Sequence, residues 1–430
     1  MLREASPNWQ ELLKADASTP DGFRAPNPGD IFKSTFLART FRRLASQGKR
    51  GFYEGPVADA IVKVVQDLGG RLSLDDLRRH GDTGSEEVDS ISIRFNGQDI
   101  SQTHSQHIDG QVDDRDPSSH GVDVWECPPN GQGIVALMAL GILEELERAG
   151  KIRKFTESEH NTVDYLHAVI ESLRIAFADA NWFISDPALP ETATPTSRLL
   201  DRSYLASRAA LFDPNKAISS LDHGSPAHNI CDTVYFAVTD SFGNGISFIN
   251  SLYFGFGSSI IPAGTGFCLQ CRGAGFALHP PSHPNIYAPS KRPYHTIIPA
   301  MLTNPSDQSL HTVYGVMGGY MQPQGHVQVL LNMLAFKMNP QAALDAPRFC
   351  IGAGMREMGK TMDWTVHLEE GISEDVAEEL RRKGHKIDII GGWQRGVFGR
   401  GQVIRVHEEP EGRVYSAGSD MRGDGAAYPA

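Results

Sequence analysis

The chain has 430 residues, 40% hydrophobic and 21% charged, an ordinary globular composition but more residues than one simple core usually holds. Its formal net charge of −12 argues against a general nucleic-acid binder, because phosphate contacts need clustered Lys and Arg. No apolar run approaches the roughly 18 residues of a membrane span, so a membrane is not an expected partner either.

The lead-in to about Asp30 is polar and irregular. From Ile31 the spacing of Phe32, Phe36, Leu37, Phe41 and Leu44 predicts an amphipathic helix stopped at Gly48. A second helix is predicted from Pro56 to Gly69 and Gly70, and a third after Ser73 as its N-cap. Residues 85–126 predict short extended stretches around a polar loop. Its acidic residues fit no EF-hand spacing and read as a solvated loop. His104 and His107, three apart, have no convincing third metal ligand. Two helices follow, one after the turn at Pro128–Gly131, the other with Val163, Leu166, Ile170, Leu173 and Phe177 at helical spacing. Residues 186–230 read as a Pro-containing linker with one short helix near Arg202–Ala210. The run beginning at Thr233 then alternates like β-strands about a D-S-F-G-N-G turn. Strands dominate from there, with helices near 325–336 and 373–384, an order that suggests layers of helix and sheet.

Five cysteines, Cys127, Cys231, Cys268, Cys271 and Cys350, make a poor disulfide framework. The C-x-x-C of Cys268 and Cys271 lacks a partner pair or a helix start, so both read as ordinary strand residues. The first ten residues lack the apolar core of a signal peptide. A cytoplasmic protein is the expectation.

Thr233 opens a strand directly after the linker. A threonine hydroxyl becomes a useful nucleophile when a base lies beside it, and its own free α-amine can be that base. That amine exists only if the chain is cut between Asp232 and Thr233, at a boundary where no predicted element is broken. A β-forming threonine with no chemical role fits the same pattern. A turn centred near Phe242 sets Ser251 opposite Thr233, either as a supporting hydroxyl or as a sheet-stabilising pair. Gly318 and Gly319 lie between a strand and a helix, where backbone N–H groups can form an oxyanion hole or merely a tight turn.

Seven blocks in order, G-F-Y-E-G-P-V-A-D-A-I-V-K-V-V-Q-D-L-G-G, P-P-N-G-Q-G-I-V-A-L-M-A-L, R-I-A-F-A-D-A-N-W-F-I-S-D-P, D-T-V-Y-F-A-V-T-D-S-F-G-N-G-I-S-F-I-N-S, K-R-P-Y-H-T-I-I-P-A-M-L, M-G-G-Y-M-Q-P-Q-G-H and F-G-R-G-Q-V-I-R with S-D-M-R-G-D-G, resemble the γ-glutamyltranspeptidase family of N-terminal-nucleophile hydrolases. The resemblance implies an α+β fold, an αββα sandwich of two stacked sheets flanked by helices. It implies a precursor that cuts itself before Thr233 into a large subunit, residues 1–232, and a small subunit, residues 233–430, which stay together. Thr233 would attack a substrate amide and form an acyl-enzyme, hydrolysed by water or transferred. Ser251 would support it, with Gly318 and Gly319 as the oxyanion pair. Neither a metal nor an organic cofactor is implied. The partners implied are a small-molecule amide or γ-glutamyl substrate and the two subunits of the precursor. The family also carries a stretch of chain ahead of the block near Asp30, so residues 1–232 read as shortened at the N-terminus.

Glutathione-cleaving members hold the glutamate ammonium in two stretches that here read Tyr253, Arg272 and Gly275. Their serine pair for the α-carboxylate reads His295 and Thr296. A guanidinium repels an ammonium and pairs with a carboxylate. The substitutions resemble the acylase and oxamate-amidohydrolase branch, and imply a carboxylate-bearing acyl group without an ammonium. A glutathione hydrolase proper and a truncated inactive member are the alternatives. The R-G-D at Arg422–Asp424 lies inside a family block, so no integrin role is expected.

Overall fold

A computed structural model of the chain describes residues 1–96, 121–189, 191, 193–221, 233–352 and 364–429. His104, His107, most of the polar loop, Cys231 and Asp232 lie outside the described residues. Two compact units form, Met1–Val88 with Leu252–Arg272, and Asp89–Ser251 with Gly273–Ala430. This spatial division does not follow the boundary at Thr233, since each unit draws on residues from both sides of it.

The first unit is mainly helical. It begins with α1 (Leu2–Ala5) and a two-stranded pair, β1 (Lys14–Ala15) and β2 (Phe23–Arg24). Then come α2 (Thr35–Gln47), α3 (Arg50–Tyr53), α4 (Pro56–Asp67) and α5 (Leu74–Thr83). The start of α2 is later than its apolar spacing suggests, because Ser34 caps it by accepting the Leu37 N–H. Phe32 falls ahead of the helix and Phe41 is 59% exposed, so the five apolar residues do not form a buried face. The buried residue of α2 is Thr40, whose hydroxyl donates to the Thr265 carbonyl at 2.9 Å. Pro56 starts α4, which buries Val57, Ile61 and Val64 at helical spacing. Ser73 and Asp76 cap α5 reciprocally, as a capping box. Cys268 and Cys271 lie in irregular chain of this unit rather than in strands, correcting the sequence expectation.

The second unit is built on a six-stranded antiparallel sheet. In chain order its elements are β3 (Ile91–Phe95), β4 (Val122–Glu126), α6 (Gly133–Arg148), α7 (Val163–Phe183), α8 (Thr196–Leu199), α9 (Arg202–Ala209), β5 (Thr233–Thr239), β6 (Gly245–Ser251), β7 (Ala300–Thr303), β8 (Leu310–Met317), α10 (Met321–Leu334), α11 (Pro340–Asp345), β9 (Phe349–Ile351), β10 (Val366–Glu369), α12 (Glu374–Arg382), β11 (Ile387–Ile390), β12 (Arg400–Glu409) and β13 (Gly412–Ser419). The sheet order is β13-β12-β8-β7-β4-β3. The short helix α8 was not anticipated in the linker.

The hairpin β5–β6 stacks on one face of β8. The Tyr235 ring occupies the space where a Cβ on Gly315 would sit, 2.5 Å away, and the Ser247 hydroxyl donates to the Tyr314 carbonyl at 3.4 Å. On the opposite face α10 packs through Gly325 against Val316. Beside it Glu126 and His326 form a buried pair at 2.6 Å, and burial raises the Glu126 carboxyl above its ordinary range. In α7, Leu166, Ile170, Leu173 and Phe177 are fully buried, each contributing about 1.5–3 kcal/mol. Helices on stacked antiparallel sheets give the α+β class expected from the sequence.

Candidate active site

The β5–β6 turn is fastened by Asp240. Its carboxylate accepts the backbone N–H groups of Phe242 and Asn244, both at 2.9 Å, and the Asn244 side-chain amide at 2.8 Å. This turn sets Thr233 opposite Ser251. Thr233 is 3% exposed, and its hydroxyl donates to Ser251 Oγ at 3.3 Å. In the uncut chain the Thr233 nitrogen is an amide and cannot act as a base. Cleavage of the preceding peptide bond converts it into an amine next to the hydroxyl.

Gly318 and Gly319 connect β8 to α10 with φ of 126° and 59°, values that favour glycine. A Cβ at Gly318 would come within 3.1 Å of Met321 Cβ and 3.2 Å of Gly399 Cα. The first turn of α10 holds both glycine carbonyls: Met321 N–H donates to Gly318 O at 2.9 Å and Gln322 N–H to Gly319 O at 3.1 Å. The fully buried Gln132 adds a third bond, its Nε2 donating to Gly319 O at 2.7 Å. The same amide donates to Thr296 O at 3.2 Å. His295 is zipped to this segment through its N–H to Asn130 O at 3.0 Å and its carbonyl from Gln132 N–H at 3.1 Å. The glycine turn and the His295–Thr296 stretch are thus tied together through a residue that sequence reasoning passed over as part of a turn.

A cleft of about 270 Å³ is lined by Thr233, Met317, Arg400, Gln402, Ser419 and Asp420, together with the loop up to Gly425. Thr233 and the end of β8, one residue before Gly318, therefore border one cavity. The Asp420 carboxylate is fixed beneath it, accepting Arg348 Nη2 at 2.5 Å, Gly401 N–H at 3.0 Å, and Arg422 N–H and Nη1 at 3.0 and 2.9 Å. Burial opposes its ionisation, but Arg348 and Arg422 outweigh burial and hold its carboxyl below the usual range. Arg422 also clasps Glu369 and its side chain is 1% exposed, so the arginine of R-G-D is a buried structural group.

Tyr253 and Arg272 belong to the first unit. There the Arg272 guanidinium carbon lies 5.7 Å from the centroid of the Tyr253 ring, within reach of a cation–π contact. Tyr253 has φ of 83°, a conformation that costs a non-glycine residue about 1–3 kcal/mol and often marks functional sites. Gly275, by contrast, packs in the second unit under the Tyr294 carbonyl. Cys268 and Cys271 are free thiols, and burial pushes Cys268 up to about 11, the reverse of a redox pair.

His167, Glu171 and His385 form the one group of metal-ligating type among the described residues. The two rings are hydrogen-bonded at 2.7 Å, and Glu171 is engaged by Arg174 at 2.9 Å and by the Ile218 N–H at 2.7 Å. With a buried guanidinium already on the carboxylate, a dication there would face like charge, so the cluster reads as a clasp between α7 and the turn after α12.

The model of the family described as Gamma-glutamyltranspeptidase matches residues 2–430. The chain is similar to the glutathione hydrolase-like YwrD proenzyme of Bacillus subtilis, 32% identical over 97% of this chain and 70% of that protein. It is 29% identical to the oxamate amidohydrolase proenzyme of Klebsiella pneumoniae, over 94% of this chain and 66% of that one. Among solved structures, the cephalosporin acylase of Bacillus halodurans aligns with a TM-score of 0.75 and 36% identity, covering 96% of this chain and 65% of that one. The chain therefore spans about two thirds of the length of these relatives. No helix among the described residues is long and apolar enough to cross a membrane. The ordered blocks, the stacked sheets and the match over residues 2–430 together establish that the chain belongs to the gamma-glutamyltranspeptidase family.

Proposed function

We propose that the protein is a threonine amidohydrolase that cuts itself between Asp232 and Thr233 and then works through an acyl-enzyme on Thr233. Residues 1–232 and 233–430 are the two subunits of the processed form. The α-amine of Thr233 accepts the hydroxyl proton as the hydroxyl attacks the amide carbonyl, and returns a proton to the departing amine. The N–H groups at Gly318 and Gly319 take the charge of the tetrahedral oxyanion. Water, or a second amine, then releases the acyl group. The observation that carries this reading is the register of β5 on β6, which pairs the Thr233 hydroxyl with that of Ser251.

The acyl group is proposed to bear a carboxylate and no ammonium. The support is the family resemblance, which sets Arg272 at a position that in glutathione-cleaving members holds an ammonium, together with the preference of a guanidinium for the opposite charge. Tyr253, His295 and Thr296 are proposed as further substrate contacts.

Incubation of the purified protein should yield two bands, the smaller beginning at Thr233 by N-terminal sequencing. Thr233→Ala should remain one chain and show no amidase activity. Glutaryl-p-nitroanilide and γ-glutamyl-p-nitroanilide differ by the ammonium alone, so the ratio of their kcat/KM values measures the assignment of Arg272. A preference for the γ-glutamyl compound would replace that assignment with a glutathione-hydrolase reading. A wild-type chain that stays whole would overturn the nucleophile.

A further inference from the structure

Two consecutive glycines have no side chains with which to hold a functional conformation, so the shape of the Gly318–Gly319 turn must be imposed from outside. Gly318 O is held by the Met321 N–H at 2.9 Å. Across a trans peptide this aims the Gly319 N–H the opposite way. The next peptide, which carries the Tyr320 N–H, is set by whatever holds Gly319 O, and holding it fixes the far end of the glycine turn. There the Gln322 N–H, at 3.1 Å, is joined by Gln132 Nε2 at the shorter distance of 2.7 Å.

We infer that Gln132 is a positioning residue for the reaction, a carboxamide that locks the glycine turn in its oxyanion-binding shape and couples it to the 294–296 stretch. The inference rests on the Thr233 reading given above. Gln132 is fully buried, and its amide nitrogen faces two carbonyls, Gly319 O and Thr296 O at 3.2 Å. Its Oε1 accepts the Tyr294 hydroxyl at 3.3 Å. Only one orientation of the carboxamide satisfies these partners, because the flipped form would set an oxygen against two carbonyl oxygens. Tyr294 is itself buried, with its ring stacked on Tyr320 at 6.0 Å, directly beyond the glycine pair. The three elements meeting at Gln132 are the start of α6, the approach to β7 and the β8–α10 turn. No side chain of this network needs to touch substrate. Its chief effect is on the turn that meets the charge developing in the transition state, and its hold on Thr296 O adds a smaller effect on the neighbouring stretch.

Gln132→Met preserves length and apolar volume while removing both donors. Measured per titrated active site on glutaryl-p-nitroanilide, its kcat should fall on the order of 10²-fold with KM within about twofold of wild type, the mark of an interaction made only in the transition state. Tyr294→Phe removes the hydroxyl that donates to the carboxamide oxygen, and its kcat should fall roughly 3- to 10-fold at unchanged KM. It provides the test if the methionine variant does not fold. If wild type cleaves and turns over while the folded variants keep kcat within about twofold, Gln132 has no positioning role. A drop in KM-dependent terms alone would equally overturn the inference. If wild type neither cleaves nor hydrolyses, the Thr233 reading falls and takes this inference with it.

Discussion

Replacing Asp420 by Asn removes one charge from beneath the cleft beside Thr233 while leaving the side chain the same size. Asp420 is 2% exposed and receives four donors, from Arg348, Gly401 and, twice, Arg422. Arg348 is fully buried, and its other guanidinium bonds go to the carbonyls of Leu344 at 2.7 Å and Phe398 at 2.9 Å, which carry no net charge. Asparagine offers one acceptor oxygen where the carboxylate offers two, and turns an NH2 toward a ring of donors. Loss of one partner from a buried pair costs about 3–5 kcal/mol. Arg422 keeps Glu369, which puts the expected loss near the lower end, about 3 kcal/mol. Urea unfolding followed by tryptophan fluorescence should show a midpoint lower by roughly 0.5–1 M, since the m-value of a chain this size is about 3 kcal/mol/M or more. The folded carboxyl lies below its unfolded value, so its contribution is complete above an unfolded pKa of about 3.9 and is lost as pH falls through the folded one. The gap between wild type and variant should therefore be constant from neutral pH to about pH 5 and close only in stronger acid. A loss under about 1 kcal/mol, or a gap that closes near neutral pH, would refute the assignment of Asp420 as the counter-ion of Arg348.

Two further outcomes are expected. Gly318→Ala places a Cβ at φ of 126° and 3.1 Å from Met321 Cβ, so it should lose about 1–3 kcal/mol of stability and most of its amidase rate; circular dichroism and steady-state assay separate the two effects. His167 and His385 are both held below the ordinary histidine range, chiefly by burial. A base depressed on folding gives stability that is whole above its unfolded pKa of about 6.5 and lost as pH falls, so the thermal midpoint should drop between pH 7 and pH 5, and less steeply in His385→Gln.

What the sequence made legible was local. The D-S-F-G-N-G turn marked the centre of the hairpin, and Ser73 marked the start of α5. The α2 boundary was misplaced because aromatic residues at helical spacing need not be buried, and Phe41 is not. The supports of the site were invisible for a different reason. Gln132 bonds to carbonyls 164 and 187 residues away, and Arg348 to a carboxylate 72 away. Backbone carbonyls carry no sequence signature, so a glutamine that serves them looks like any polar residue in a turn. The same distance effect hid the structural role of Arg422, which in sequence is only the first letter of a short motif.

The facing of Thr233 depends on a residue two positions along. A one-residue slip of β5 would turn Thr233 outward and Val234 inward. Polarity alone does not forbid this, because the outer face is apolar too: Val234 is 65% exposed, Val238 50%, and Phe236 stacks on Phe248 at 4.9 Å. Size forbids it. The inner face must accept Tyr235, whose ring fills the space over Gly315 and whose hydroxyl meets Ser247 at 2.9 Å. A slip one way would bring Val234, too small to fill the slot, and a slip the other way would bring Phe236, whose ring lacks the hydroxyl that meets Ser247; any side chain at position 315 would collide with the ring at 2.5 Å. Tyr235 and Gly315 therefore act as a key and slot that hold β5 in the register placing Thr233 and Ser251 together, so the aim of the proposed nucleophile is a packing property of the strand rather than of the threonine itself.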